Sequence, residues 1–497
     1  MRVLFTFLSA WETHIGIELE LLQRHLDAGD EVRVATCLGE VPSCVYNPEH
    51  KRARCASCLA RRLEPLARLS RPIVVEPLFD YVEEAQRAEI EGQEVDFTTL
   101  EAARELRDSP KLDVGFAALS STVHRYRESA LETPASRAMW RKLLTTFRLT
   151  HAATKALLAA ERFDRVYLFN GRFAITRGVL RACEAAGVEV HLFERGSTLA
   201  NFSRFVNHLP HDRGPFLEAL EQTWAQADPA TREAQGAQWF ERRRAGKVAN
   251  WVSFTDDQTR GRLPDSWDPA RRNIVIFNSS EDEFVGIGSE WLNPIYPTQA
   301  EAIAHIARDL ADDDVALSLR IHPNLRDVDN ADTRALAVLP PEQIEVIPAE
   351  SDISSYDLMA AADVVLTFGS SMGAEATYWG IPSVLAGLSF YRDLDVAHVA
   401  GSHEEVLALL RAVDLPAKPK LDAIRYGLHL ATAGEPLRHY QADDLFTGRF
   451  DGRPLRMAPV SGRYAYRLLT RLLGRHHPRA LATTVRAVSP TWPASGD

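Results

Sequence analysis

Two sets of short, continuously apolar runs divide the chain, and each set alternates with longer stretches of helical periodicity. The first set reads RVLFTFLS from Arg2, EVRVATCL from Glu31, PIVVEPL from Pro72, RVYLFN from Arg165 and VEVHLFE from Val188. The second reads NIVIFNSS from Asn273, VALSLRIHP from Val315, IEVIPAE from Ile344, DVVLTFGSS from Asp363 and PSVLAG from Pro382. Runs without polar alternation suit strands covered on both faces, the condition of a parallel sheet wrapped by helices. The pattern predicts an α/β protein with two Rossmann-like, doubly wound domains, which are expected to face each other across a cleft. Length agrees, since 497 residues exceed what one hydrophobic core organises.

Residues 1–260 read as the first domain, 261–440 as the second and 441–497 as a helical extension. The first contains a Cys-rich loop, 37–58, and a helical insertion over 83–163 with interleaved charges, as in EEAQRAEIEGQEVDF. Such a segment reads as a solvated helical face; covering the cleft or gripping a substrate is the alternative. The stretch 222–272, ending in LPDSWDPARR, separates the two strand sets.

A formal charge of -11 and a pI near 5.9 argue against a nucleic-acid surface, which needs a positive face. Met1 to Ser9 is too short for a signal peptide's apolar region, and no run reaches the roughly 20 apolar residues of a membrane span. A cytoplasmic protein is expected.

The second half carries the strongest chemistry, because several strand ends deliver polar residues to the sheet edge at which open α/β sheets bind ligands. In FNSSEDEF, Ser279 and Ser280 follow a strand and suit a phosphate or a sugar hydroxyl, whereas Glu281, Asp282 and Glu283 repel a phosphate. In LRIHPN, Arg320 lies on the strand, and His322 is presented where Pro323 ends it, with Asn324 next. An imidazole held there can donate to a phosphate oxygen. In LTFGSSMGAEATYWGIPSVLAG, Ser370 and Ser371 stand between a strand and a helix starting near Met372, a ready anion site. Glu375, about one turn into that helix, suits a vicinal diol such as ribose. Helix capping by Ser370 and support of the first turn by Glu375 are the structural alternatives.

These motifs resemble the donor-binding domain of GT-B glycosyltransferases, and more narrowly bacterial capsular-polysaccharide and lipopolysaccharide transferases, including those that use CMP-linked Kdo or sialic acid. The resemblance covers about Asn273 to Gly387 and implies that His322-Pro323 and Ser370-Ser371 contact the nucleotide and its phosphate. Nucleotide-sugar epimerases of the same fold share the His-Pro-Asn strand end, and UDP-sugar enzymes also place a glutamate near the ribose, so the nucleotide stays open.

The resemblance assigns the acceptor to the first half, where inverting GT-B enzymes place a base in the loop after the first strand. In SAWETHIGIELE this implies Glu12 or His14, with helix capping by Glu12 or Thr13 as the alternative. The segment FERGSTLANFSRFVNHLP resembles the Glu-x-Gly segment of capsular transferases and makes Glu194 a third candidate base. Arg172, in FNGR, and Arg195 are candidates to hold an anionic sugar carboxylate or phosphate, or to form structural ion pairs.

Cys37, Cys44, Cys55 and Cys58 lie in one loop, the last two as Cys-x-x-Cys, and fit a tetrahedral structural Zn²⁺ site in a reducing compartment. His50 is a possible substitute ligand, an iron–sulfur cluster the runner-up, and unligated buried thiols the alternative. Cys183 reads as helix core. No organic cofactor is expected. In GRYAYRLLTRLLGRHH, Arg463, Arg467, Arg471 and Arg475 are spaced four apart beside a leucine face, so this helix either contacts an anionic membrane peripherally or packs back on the first domain.

The expected function is transfer of a sugar from a nucleotide-activated donor to a surface-polysaccharide or lipid-linked acceptor. A nucleotide-sugar epimerase or hydrolase, and a non-catalytic assembly partner in polysaccharide synthesis, are the alternatives.

Overall fold

The computed structural model describes residues 1–8, 10–247 and 258–455, without the side chains of Glu12 and Thr13. The chain forms two compact units. The first comprises 1–126, 130–212 and the segment returning from Gly434; the second comprises Arg127–Ser129 and Arg213–Ala433.

In the first unit, β1 (Arg2–Phe7), β2 (Glu31–Thr36), β3 (Val74–Pro77), β4 (Arg165–Phe169) and β5 (Glu189–Arg195) are the five runs read from the sequence. They pair in parallel in the order β3-β2-β1-β4-β5. Alternate residues of β1 enter different cores: Val3, Phe5 and Phe7 pack on one side of the sheet and Leu4 on the other. Because successive strand side chains point to opposite faces, a run apolar at every position is what this double burial requires. An edge was missed by sequence reasoning. β6 (Asn201–Val206) pairs antiparallel with β5, and a later strand, Glu435–Pro436, pairs antiparallel with β6.

The helical insertion is solvated in its first part, where helix Glu84–Glu91 buries only Ile90, but not in its later helices. Helix Val114–Tyr126 is buried at every position from Val114 to Val123, and the long helix Pro134–Ala160 buries Trp140, Leu143, Phe147 and Leu157. The charge that suggested solvent is partly turned inward. Asp113, almost fully buried, bonds both Arg177 and Arg181 and joins this helical layer to helix Ala174–Ala186.

In the second unit, β7 (Arg272–Phe277), β8 (Val315–Arg320), β9 (Glu345–Ile347), β10 (Val364–Thr367), β11 (Ser383–Leu385) and the short β12 (His398–Val399) form an all-parallel sheet. Its order is β9-β8-β7-β10-β11-β12. The connections reverse direction between β7 and β10, which is the topological switch point of a Rossmann sheet. Ile274 and Ile276 pack on one face, Val275 and Phe277 on the other.

The unit boundaries differ from the expected ones. Helices Arg213–Gln226 and Arg232–Arg244 pack against helix Lys420–Thr432 and belong to the second unit, so the division falls before Arg213. Phe240 and Leu220 fill a core with Tyr378, Tyr391 and Tyr426. The extension expected to be helical is, as far as it is described, a three-stranded antiparallel sheet of Tyr440–Ala442, Gly448–Phe450 and Arg453–Pro454. It returns to the first unit because buried Glu20 accepts the backbone N–H groups of Arg438, His439 and Tyr440. The arginine-rich segment Arg463 to Arg475 lies outside the described residues. Among the described residues no helix is long and apolar enough to cross a membrane.

Candidate donor and base sites

The donor-side candidates gather at the carboxyl ends of three neighbouring strands of the second unit. β7 ends in Asn278, Ser279 and Ser280, β8 in His322, and β10 in Gly369, Ser370 and Ser371. Asn278 Oδ1 accepts the His322 backbone N–H at 2.9 Å and ties the first two loops together. Gly369, with φ +157°, brings the third close: a Cβ there would stand 2.4 Å from the Phe284 ring and 2.5 Å from the Leu388 carbonyl.

His322 accepts the Asn324 backbone N–H on Nδ1, at 3.1 Å. Burial lowers the imidazole pKa to about 4; the Asn324 side chain opposes this, and the charges of Arg127, Arg243 and Arg320 add to it. The ring is therefore neutral at pH 7 with its proton on Nε2, a donor in a positive field. Such a field suits a phosphate.

Arg127 was not foreseen. Held at φ +56°, it donates to Ser280 Oγ at 2.6 Å, to Asp282 and to the Asn324 carbonyl. Asp282, which the sequence set against a phosphate, is thus paired with a cation. Ser279 Oγ and Asn324 Oδ1 are buried and have no hydrogen-bond partner among the described residues. Buried polar atoms are normally satisfied, so these exceptions leave hydrogen-bonding capacity at adjacent strand ends.

At the third loop, Ser370 Oγ accepts the Met372 N–H at 3.3 Å, while the N-cap of helix Met372–Trp379 is Ser371, which makes no side-chain cap bond. Ser371 Oγ donates to Glu375 and accepts from Arg243 Nη2, each at 3.1 Å. Glu375 is fully buried; Arg243 Nε reaches Oε1 at 3.0 Å, and the Tyr356 hydroxyl donates to Oε2. A ribose diol therefore reaches this carboxylate only by displacing a present partner. Arg320 does not face a ligand: its guanidinium is buried and bonds the carbonyls of Pro348 and Ser351 and the Ser355 hydroxyl. Burial lowers its pKa to about 10, and its donors are spent on joining β8 to the chain after β9.

In the first unit, the switch point between β1 and β4 carries the base candidates. Residue Glu12 opens helix Glu12–Asp27, and its side chain lies outside the description. His14 and Glu194, remote in sequence, meet: Nε2 to Oε2 is 3.0 Å. Asn170, in the left-handed region at φ +58°, donates from Nδ2 to the other Glu194 oxygen. An Asn-Gly pair at a strand end favours that conformation, and it aims the amide. Burial works to raise the Glu194 pKa, but the bonds from His14 and Asn170 and the nearby His211 outweigh it and hold the carboxyl below its usual range. With Nε2–H donated to Glu194, the His14 lone pair is on Nδ1, which is buried without a partner among the described residues. A carboxylate-oriented imidazole with a lone pair left over is chemically able to take a proton.

Arg172 stacks over Phe173 at 4.6 Å and reaches His124, while Arg195 sits on β5 with its pKa lowered by burial.

The four cysteines share one corner. Sγ of Cys37 accepts the Gly39 N–H at 3.2 Å, that of Cys44 the Asn47 N–H at 3.2 Å, and that of Cys55 the Asn47 side-chain amide at 3.1 Å. His50 turns instead to the Gly39 carbonyl at 2.9 Å. Among the described residues no group of three His, Cys, Asp or Glu converges as a metal site. Burial pushes Cys44 up to about 12 and Cys55 to about 11, so without a cation these are neutral thiols. Cys183 is core, as read.

No sequence-family profile and no curated protein matches the chain. Among solved structures, it is similar to a Thermosulfurimonas dismutans KpsC described as a beta Kdo 2,4 transferase, at 12% identity and TM-score 0.36, over 59% of this chain and 84% of that one. A UDP-GlcNAc 2-epimerase from Neisseria meningitidis bound to UDP-GlcNAc follows at 11% identity and TM-score 0.27, over 86% and 98%. Acinetobacter baumannii MurG has 11% identity and TM-score 0.25, over 88% and 96%. At these scores the likenesses carry no weight for activity.

Proposed function

We propose that the protein is a glycosyltransferase that moves a sugar from a nucleotide-activated donor, a CMP-sugar such as CMP-Kdo or a UDP-sugar, to a surface-polysaccharide or lipid-linked acceptor. The observation that supports this best is the gathering of His322, Ser279, Ser280, Ser370 and Ser371 at the switch point of the second unit, in the positive field of Arg127 and Arg243.

In this reading the neutral His322 donates from Nε2 to a donor phosphate oxygen, and the arginines offset charge gathering on the leaving nucleotide. His14 Nδ1 takes the proton of the acceptor hydroxyl as that oxygen attacks the anomeric carbon, and Glu194 stabilises the resulting imidazolium. Asn170 and Glu194 position the ring. Glu375, reached after exchange of one partner, is the proposed ribose contact. The four cysteines are proposed to take a structural Zn²⁺ after a local rearrangement; their spacing and the N–H···S bonds, which favour thiolate, support this. A cytoplasmic location with a C-terminal membrane contact completes the proposal.

Incubation with CMP- and UDP-sugars, with and without a glycan acceptor, tests the reaction. Nucleotide release that depends on acceptor supports a transferase. Rapid turnover of donor alone contradicts it and indicates an epimerase or hydrolase.

A further inference from the structure

The first unit contains a cavity of about 650 Å³ that none of the residues above was assigned to fill. Its wall comes from three places. Helix Arg52–Leu63 contributes Arg54 and Arg61, the end of helix Val114–Tyr126 contributes His124 and Arg125, and two aromatic side chains, Trp11 and Tyr46, complete it. Among the described residues no carboxylate belongs to the wall, in a chain whose formal charge is -11. Glu49 is close enough to feel Arg54 and Arg125, but its carboxylate is paired with Lys51.

The aromatic side chains are held in place. The Trp11 indole packs edge-on against Phe169, with centroids 5.1 Å apart, and against Phe173 at 5.5 Å. The Tyr46 ring lies 5.3 Å beneath the Arg54 guanidinium. Trp11 is also the neighbour of His14, with ring centroids 6.0 Å apart. Trp11 thus links this wall to the His14 ring.

An aromatic wall that carries three guanidinium groups suits an anionic sugar. Indole and phenol faces accept the C–H face of a sugar ring, and guanidinium groups pair with carboxylate or phosphate in bidentate fashion. We propose that this cavity is the acceptor subsite and that it takes an acidic saccharide, the ring against Trp11 and the anionic group against Arg54, Arg61 and Arg125. The acceptor role rests on the transferase reading; the anionic-sugar site does not.

Saturation-transfer NMR on the full chain with glucuronic acid, glucose 1-phosphate and glucose tests it, with inorganic phosphate as competitor. The exposed side chains of Arg54 and Arg125 allow Arg54→Gln and Arg125→Gln without disturbing a core. At least one acidic sugar is expected to bind, glucuronic acid if the wall selects a carboxylate and glucose 1-phosphate if it selects a phosphate. Glucose gives no signal, and each variant weakens binding by about tenfold or more. Equal signals from glucose and the acids, unchanged affinity in both variants, or no binding of any sugar overturns the proposal. A thermal-shift response to CMP or UDP, measured in parallel, separates the two readings. Nucleotide response without acid binding removes only this subsite, whereas acid binding without nucleotide response leaves the subsite and removes the transferase.

Discussion

His14 Nε2 and Glu194 Oε2 stand 3.0 Å apart although 180 residues separate them in the chain. The pair forms because β1 and β5 both end at one edge of the first sheet, and Asn170 holds the far oxygen of the carboxylate. His14→Ala is expected to lower kcat by about 10²–10⁴-fold, the usual worth of a general base. Glu194→Gln keeps the shape but loses the charge, so kcat falls while KM for the donor stays within about twofold. Steady-state kinetics check both; a change confined to KM contradicts the assignment.

His322 titrates near 4, below the ordinary histidine value of 6.5. Its folded pKa lies below the unfolded one, so the neutral ring is favoured above pH 6.5 and stability is lost as pH falls from there toward 4. A bound phosphate favours the imidazolium and raises that pKa. Nucleotide affinity is therefore expected to rise as pH falls through the bound-state value. An NMR titration of the His322 ring with and without nucleotide measures the shift, and identical curves contradict the contact.

Arg320 is scaffold rather than ligand contact. Arg320→Ala leaves buried carbonyls at Pro348 and Ser351 without donors and is expected to cost about 3 kcal/mol. Chemical denaturation reads that loss. A variant of unchanged stability but abolished nucleotide binding contradicts it.

The cysteine corner makes a separable prediction. Anaerobically purified protein is expected to hold close to one zinc per chain, and Cys55→Ser with Cys58→Ser to remove it and lower the melting temperature. Metal content near zero in the parent chain contradicts a zinc staple.

Much of this was legible because it depends on local pattern. A strand buried on both faces must be apolar at every position, so RVLFTF and NIVIF announce the sheets, and residues directly after such runs fall at the ligand-binding edge. The antiparallel strands were illegible for the same reason: NFSRFV has no continuous apolar run, and its partner Glu435–Pro436 is more than 200 residues away. The charged insertion is solvated where EEAQRAEIEGQE stands, but misled further on, because its charges flank the apolar core of VGFAALSSTV or pair inward, as Asp113 does. Arg127 and Arg243 could not be picked out. One sits in a charge-rich stretch and is aimed by a positive φ, and the other is one of three consecutive arginines. Glu375 was found, but Tyr356 and Arg243, which occupy it, come from other helices.

Calorimetric titration of CMP, UDP and GDP into the full chain and into His322→Ala tests the central claim most directly. One nucleotide is expected to bind the parent chain in the micromolar range and the variant about tenfold or more weakly, the worth of one charge-assisted hydrogen bond. Equal affinity in both chains, or no binding of any of the three to the parent, contradicts a nucleotide site at the carboxyl ends of β7, β8 and β10.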